Sequence, residues 1–336
     1  MATLKMMMSM IPKPGIKTML ASLCWLVAAL TPLSASAQAY PTRPIRLLVG
    51  FGAGGPTDIT FRKLADLAGK QLGQTIIVEN KPGAGATLAP SSMAKNDKPD
   101  GYTIAAATAG VLRYPHMQKV DWDPLRDFTW IAGLGGYSFV MTVRADSPYQ
   151  KATDLLAWGR ANPGKLSIGT AGAGTTMHLL SEALGSMAGV EVNHIGYKSS
   201  SEAATALLGG HVVATVDATG SVAPHVAAGK LRVLLTFDEQ PAQWLPGVPT
   251  ARMLGHDLAY PAPYGLVGPK GMPPEIVKKL QDAFKTASDD PEYRKLLDNL
   301  RQIAWYRSSA DYEQWAKAFY VSERSLVERA KLLRKD

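Results

Sequence analysis

The chain has 336 residues, 46% of them hydrophobic and 19% charged, which excludes wholesale disorder and leaves room for two domains of ordinary size. Lys and Arg number 36 against 28 Asp and Glu, a formal net charge of +8, but no run of five basic residues supports a nucleic-acid partner. A single cysteine, Cys24, excludes a disulfide framework and any multi-cysteine metal site.

Residues 1–39 hold three lysines (Lys5, Lys13, Lys17), no acidic residue, and an apolar run from Met19 to Leu30 that contains Cys24. A small-residue tract, Ser34-Ala35-Ser36-Ala37-Gln38-Ala39, follows. Basic start, short apolar core and A-x-A tract predict a secretory signal peptide cleaved near Ala37 or Ala39. The apolar run is too short to span ~30 Å of hydrocarbon. An exported chain without nucleic-acid motifs is expected to handle a small molecule.

Three strand-then-helix units come next. Ile45–Val49, Thr75–Val78 and Tyr102–Ala107 read as buried strands, the first two leading through glycine-rich loops into helical runs. The same order recurs with Lys165–Ile168, Val190–Ile195 and His211–Val216. Strands alternating with helices predict parallel βαβ sheets, and two such halves predict two similar α/β lobes. Helices are then expected from Pro274, over Pro291–Arg301 and over Ala310–Leu333. Ile276, Val277, Leu280 and Phe284 mark a buried face on the first, and Tyr312, Trp315, Phe319, Leu326 and Ala330 on the last.

Ligands of open parallel sheets sit beyond the carboxyl ends of the strands. Helix N-termini there offer free N–H groups and about half a positive charge. Phe51–Asp58 (FGAGGPTD) is such a loop, with Thr57 or Asp58 available as a cap. Gly169–His178 (GTAGAGTTMH) is its counterpart, with Thr175 and Thr176 available as caps and His178 in the first turn. The pair predicts an anion site made of backbone amides and hydroxyls.

Other chemistries fail on spacing. Gly83-Ala84-Gly85 and Gly172-Ala173-Gly174 lack the third glycine of a dinucleotide fingerprint. Gly159–Lys165 approaches a phosphate loop, but Leu166 stands where Ser or Thr is required. No G-x-S-x-G elbow and no H-x-x-x-H pair occurs, so neither hydrolase nor zinc chemistry has support. No cofactor, metal or catalytic residue is expected.

These loops carry a resemblance that covers the chain from Tyr40 to about Leu333. The opening YPTRPIRLLVGFGAGGPTDI is similar to the first block of the substrate-binding proteins of tripartite tricarboxylate transporters, the Bug family. NKPGAGA (Asn80–Ala86), PDGYT (Pro99–Thr103), GTAGAGTTMH, YKSS (Tyr197–Ser200), LLGGHV (Leu207–Val212), AGKLRVL (Ala228–Leu234) and PGVPT (Pro246–Thr250) resemble further blocks in the family's order. The chain departs from the family pattern at Gly52-Ala53, at Gly196–Ser199, at Val213, and at Pro263, where a Trp is common.

The resemblance implies an α/β, two-lobed periplasmic binding protein of type II character. Each lobe would be a mainly parallel sheet flanked by helices, with the ligand cleft between them. Lobe one would be 40–143 plus 261–336 and lobe two 144–260, joined by crossing strands at Phe139–Val143 and Tyr264–Val267. It implies capture of a small carboxylate (a di- or tricarboxylate or an aromatic acid) by lobe closure, with no catalysis. Delivery would be to the membrane permease subunits of a tripartite tricarboxylate transporter. A periplasmic carboxylate sensor docking to a receptor ectodomain is the alternative. Carried over position by position, the ligand would meet Gly54, Gly55, Thr57, Asp58 and Thr108 from lobe one. From lobe two it would meet Thr170, Gly172, Gly174, Thr175 and His178, with Asp217 at the acidic position after a lobe-two strand. The protein is expected to be a monomer and to bind no nucleic acid.

Overall fold

A computed structural model describes residues 40–260 and 262–334. The expected signal peptide, residues 1–39, lies outside the described residues. Ten strands form two five-stranded sheets. The first half of the chain supplies β1 (Ile45–Val49), α1 (Pro56–Leu72), β2 (Ile76–Asn80), α2 (Leu88–Asn96), β3 (Thr103–Thr108), α3 (Ala109–Met117) and β4 (Phe128–Tyr137). Next come β5 (Phe139–Arg144), α4 (Ala152–Ala161), β6 (Leu166–Thr170), α5 (Thr176–Ala188), β7 (Val192–Gly196), α6 (Ser200–Leu208), β8 (Ala214–Ala218), α7 (Thr219–Ala227) and β9 (Leu231–Thr236). The chain then forms β10 (Ala262–Pro269), α8 (Pro274–Asp289), α9 (Pro291–Leu300) and α10 (Ser309–Arg329).

The strand orders are β2-β1-β3-β10-β4 and β7-β6-β8-β5-β9, one pattern used twice. In each sheet the first three strands are parallel, and the fourth is antiparallel to both of its neighbours. The sheets are therefore mixed, with one reversed strand each. That reversed strand is always the segment arriving from the other sheet: β5 follows β4, and β10 follows β9. The expected bound at 143/144 falls at the far end of a strand that pairs with β8 and β9. The chain passes from the first sheet to the second at Ser138, whose carbonyl accepts from the Thr219 N–H at 3.0 Å.

Buried aliphatic residues explain the central strands. Ile45, Leu47 and Val49 are fully buried on β1, as are Ile104 and Ala105 on β3. This matches sheets covered on both faces, where strands read as continuous apolar runs. Prolines open α1, α8 and α9, where a missing N–H costs no intrahelical bond. Gly73 and Gly189 end α1 and α5 in the left-handed conformation. The three C-terminal helices return to the first sheet: α8 packs on α1 and β4, and α10 on α3 and β4. Val277, Leu280 and Phe284 of α8 and Tyr312, Leu326 and Ala330 near α10 are buried, as their spacing predicts, while Trp315 and Phe319 are partly buried against the same core.

Gly265 lies where β10 passes between β4 and α10. A Cβ there would come within 2.2 Å of the Ala132 carbonyl oxygen and 2.6 Å of the Tyr312 ring. Gly265→Ala is expected to lower unfolding free energy by about 1–3 kcal/mol through overpacking. Urea denaturation measures this; an unchanged midpoint would contradict the seating of the reversed strand.

Candidate functional site

The carboxyl ends of β1, β3, β6 and β8 deliver the chain into the starts of α1, α3, α5 and α7. Those starts, with that of α6, surround a cavity of about 30 Å³. The first sheet's side contributes Phe51, Pro56, Thr57, Gly85, Thr108, Ala109, Gly110, Tyr137 and Ala262 to its wall. The second contributes Phe139, Thr175, Thr176, Met177, Ser200 and Ala218. A groove of about 330 Å³ adjoins it, sharing Gly85 and Thr175 and running past Tyr114, Tyr197 and Lys198. A larger groove of about 530 Å³ lies along the outer edge of α1 and β2, lined by Arg62, Asp66 and Lys70. It is remote from the strand ends where such sheets bind ligands, so size does not identify the site.

No lysine, arginine or carboxylate lines the cavity. Its polar groups are hydroxyls and the backbone of helix first turns. The N-cap residues of α1, α3 and α7 (Gly55, Thr108 and Ala218) make no side-chain capping bond. First-turn N–H groups without an intrahelical partner need another acceptor. By contrast, Thr175 caps α5, accepting from the His178 N–H at 3.4 Å, and Ser199 caps α6.

The expected residues divide into three sets. Thr57, Thr108 and Thr175 are on the cavity wall. Thr57 Oγ1 accepts from the Tyr137 hydroxyl at 2.8 Å, so its own proton remains to be donated. Thr175 Oγ1 donates to the Gly172 carbonyl at 2.7 Å, so this side chain braces its own loop.

A second set shapes the two glycine loops from behind. Asp58 is buried and accepts from the Gly54 N–H at 2.9 Å, from Arg62 at 3.0 Å and from Asn80 at 2.8 Å. Burial opposes its charge, but Arg62, Gly54 and Asn80 outweigh it and hold the carboxyl below its ordinary range. Gly54 and Gly55 form the turn that Asp58 ties down, and Gly54 needs its positive φ of 76°. In the other loop Thr170 Oγ1 lies 2.6 Å from His194 Nε2, and the Gly174 N–H donates to His178 Nδ1 at 3.0 Å. The rings of His178 and His194 lie 3.9 Å apart. Burial, then His194 and Arg113, push His178 down to about 3, and burial lowers His194 to about 4, so both are neutral at pH 7. A Cβ on Gly174 would meet the Tyr114 ring at 2.9 Å, while Gly172 borders the adjoining groove.

Asp217 stands alone. It is fully buried next to the cavity residue Ala218, whose N–H it accepts at 2.9 Å. Its Oδ2 has no hydrogen-bond partner among the described residues. Burial pushes its pKa up to about 7 against the opposing pull of Ser200, Ala218 and Ser221.

Thr176, Ser200, Tyr137 and the apolar walls Phe51, Phe139 and Met177 were not anticipated as site residues. Thr176 and Ser200 each stand one place beyond a recognisable cap, which is the sequence signal that points to them. Tyr137 ends a glycine-rich strand and offers none.

Two sheets meeting over a cavity are the frame of a two-lobed periplasmic solute-binding protein. The periplasmic binding protein BugD shares that frame at TM-score 0.84 and 28% identity, over 88% of this chain and all of its own. MatC of Rhodopseudomonas palustris, solved with bound malate, matches at TM-score 0.80 and 27% identity, over 86% of this chain and all of its own. An R. palustris protein solved with adipate matches at TM-score 0.81 and 26% identity, over 87% of this chain and 98% of its own. Residues 60–332 match the model of the tripartite tricarboxylate transporter family receptor. A UPF0065 protein of Cupriavidus necator is 47% identical over 301 residues, which is 90% of this chain and 91% of that one. The chain belongs to the tripartite tricarboxylate transporter receptor family, whose members are substrate-binding proteins and not enzymes. Among the described residues no helix is long and apolar enough to cross a membrane, and no cluster of His, Cys, Asp or Glu is arranged to hold a metal.

The raised Asp217 carboxyl has a defined pH signature. The folded chain holds this proton up to about 7, whereas the unfolded chain releases it near 3.8. Asp217 therefore subtracts stability progressively as pH rises between those values, and no further above them. Asp217→Asn removes this slope, so wild-type Tm should fall relative to the variant from pH 4 to 7 and run parallel above it. Parallel curves throughout would mean the carboxylate is ionised in the folded state.

Proposed function

We propose that this protein is exported to the periplasm and captures a small dicarboxylate or related acid at the cavity between its two sheets, which at about 30 Å³ must widen to admit it. Residues 1–39 are the export signal in this reading, removed near Ala37 or Ala39. The two sheets with their helices are the two lobes, and closure of one on the other is the binding step. The observation that carries the reading is the cavity wall itself: hydroxyls and helix starts from both sheets, with no cation. Transfer of an ionised carboxylate from water is costly unless donors replace its hydration. Helix first turns supply such donors together with a favourable dipole.

Thr57, Thr108, Thr176 and Ser200 are the hydroxyls that contact the acid in this account, with first-turn N–H groups of α1 beyond Pro56, of α3, and of α7 beyond Thr219, whose own N–H is held by the Ser138 carbonyl. Gly54, Gly55, Asp58, Thr170, Gly172, Gly174, Thr175 and His178 hold the two loops in position. Bound malate and adipate in two structural relatives support a dicarboxylate over a neutral solute. Family membership supports delivery to the permease subunits of a tripartite transporter, a step in which the chain is proposed to act as a monomer.

The lobes already touch around the cavity. The Gly52 N–H donates to the Lys198 carbonyl at 2.9 Å, and Ser201 Oγ donates to the Gly54 carbonyl at 2.9 Å. A Cβ on Gly55 would lie 3.4 Å from the Ser199 side chain of the opposite lobe. Gly55 has an extended backbone (φ −81°, ψ 164°) that valine tolerates.

A thermal-shift series with ligand-stripped protein tests the proposal. Succinate, malate, adipate, citrate and benzoate are compared with the corresponding amides. A bound acid at ~100 times Kd adds roughly 2.7 kcal/mol, a clear rise in Tm. The expected result is a shift with one or more acids that is lost in the amide; silence with every acid would refute carboxylate capture. Gly55→Val is expected to keep the ligand-free Tm and weaken binding by at least about tenfold, or 1.4 kcal/mol. Unchanged affinity in that variant would remove the first loop from the closure.

A further inference from the structure

Arg113 is the largest fully buried side chain of the described residues and does not line the cavity. It lies on α3, one turn beyond the cavity residues Ala109 and Gly110. All three of its nitrogens face named groups. Nε lies 2.6 Å from Glu323 Oε2 on α10, itself 1% exposed. Nη2 donates to the Tyr260 hydroxyl at 2.6 Å, and that hydroxyl donates to Glu323 Oε1. Nη1 donates to Thr176 Oγ1 at 3.1 Å, across from the first sheet's side to the first residue of α5. Burial works against the guanidinium charge, but Glu323 and Tyr260 outweigh it and hold its pKa above the ordinary arginine value.

A threonine hydroxyl has one proton to give. When Oγ1 accepts from a guanidinium, that proton is directed to another acceptor, and the charge-assisted bond strengthens it as a donor. Thr176 is on the cavity wall. The first sheet has the same device in neutral form: the buried Tyr137 hydroxyl donates to Thr57 Oγ1 at 2.8 Å, and Thr57 is also on the wall. In each case a threonine in a helix's first turn is turned into a committed donor by a buried group behind it.

We infer that Arg113 is a positioning residue for ligand capture: anchored by Glu323 and Tyr260, it orients the Thr176 hydroxyl as a donor to the bound carboxylate. Its charge is neutralised by Glu323, so it recognises the anion through Thr176 rather than by direct pairing. The inference rests on the carboxylate site proposed above.

Removing Arg113 alone would leave the Glu323 charge buried, a change that destabilises folds strongly. The test therefore replaces the pair together, as Arg113→Met with Glu323→Met, since apolar groups of similar volume often replace a buried ion pair without loss of stability. Calorimetric titration with the tightest of succinate, malate and adipate is run on wild type, this pair variant, Thr176→Val, Thr176→Ser and the pair variant combined with Thr176→Val. Circular dichroism confirms folding of each. The pair variant and Thr176→Val are each expected to lose affinity by roughly tenfold. The combined variant should lose no more than either alone, because both remove the same donor. Thr176→Ser should bind close to wild type.

If the folded pair variant binds as tightly as wild type, or if the losses multiply in the combined variant, the proposal is overturned. Should the pair variant not fold, Arg113→Lys, which keeps the charge and cannot serve three partners in the same geometry, takes its place with the same criteria. A wild-type chain that binds none of the acids would overturn the carboxylate site itself, and the proposal with it.

Discussion

An anion taken out of water must find donors of equal quality, and the carboxylate site proposed for this chain would draw them from the beginnings of helices. Five helix starts meet at one cavity, three of them without a side-chain cap. That requirement accounts for much of the architecture. Parallel strands put successive helix starts at one sheet edge. Two sheets of identical strand order, each lending the other a reversed strand, bring two such edges face to face. The glycine loops let those starts approach closely: a Cβ on Gly85 would meet the Gly174 carbonyl at 3.0 Å.

Charged groups near the cavity serve the frame. Asp58 ties the first loop to Arg62 and Asn80, and Arg113 is bound to Glu323 behind the second wall. His178 and His194 are neutral with their tilted rings in contact, and His178 accepts from the loop's Gly174 N–H. In the proposed carboxylate site the lack of a direct cation weakens the Coulomb attraction, and closure would compensate by excluding water, which strengthens every remaining donor. A site of that kind would also release its cargo readily.

Six central strands were legible because buried runs such as Ile45–Val49 alternate with glycine loops and helical spacing. Ile45–Val49 has the expected bounds, and the other five lie one to three residues toward the carboxyl side, as from Lys165–Ile168 to Leu166–Thr170. β4 was not legible: Gly133, Gly135 and Gly136 break its strand character, and the first two make room for the Trp305 and Tyr264 rings. Helices α3 and α7 were hidden by Pro115 and Pro224 inside nine-residue spans. At the site, the loops and their threonines were visible from glycine and capping patterns. The ion pair of Arg113 with Glu323 was not, since it joins residues far apart in the sequence with no periodic signal. The resemblance to family blocks pointed to Thr108 and Asp217, which local patterns leave unmarked.

The most direct test of the account is a crystal structure of the ligand-stripped chain with malate or adipate added. The account predicts a carboxylate in the cavity, its oxygens within hydrogen-bond distance of Thr57, Thr108 or Thr176 hydroxyls and of first-turn N–H groups of α1, α3 or α7. A carboxylate paired instead with Lys198 in the adjoining groove, or with Arg62 and Lys70 on the outer edge of α1, would contradict it.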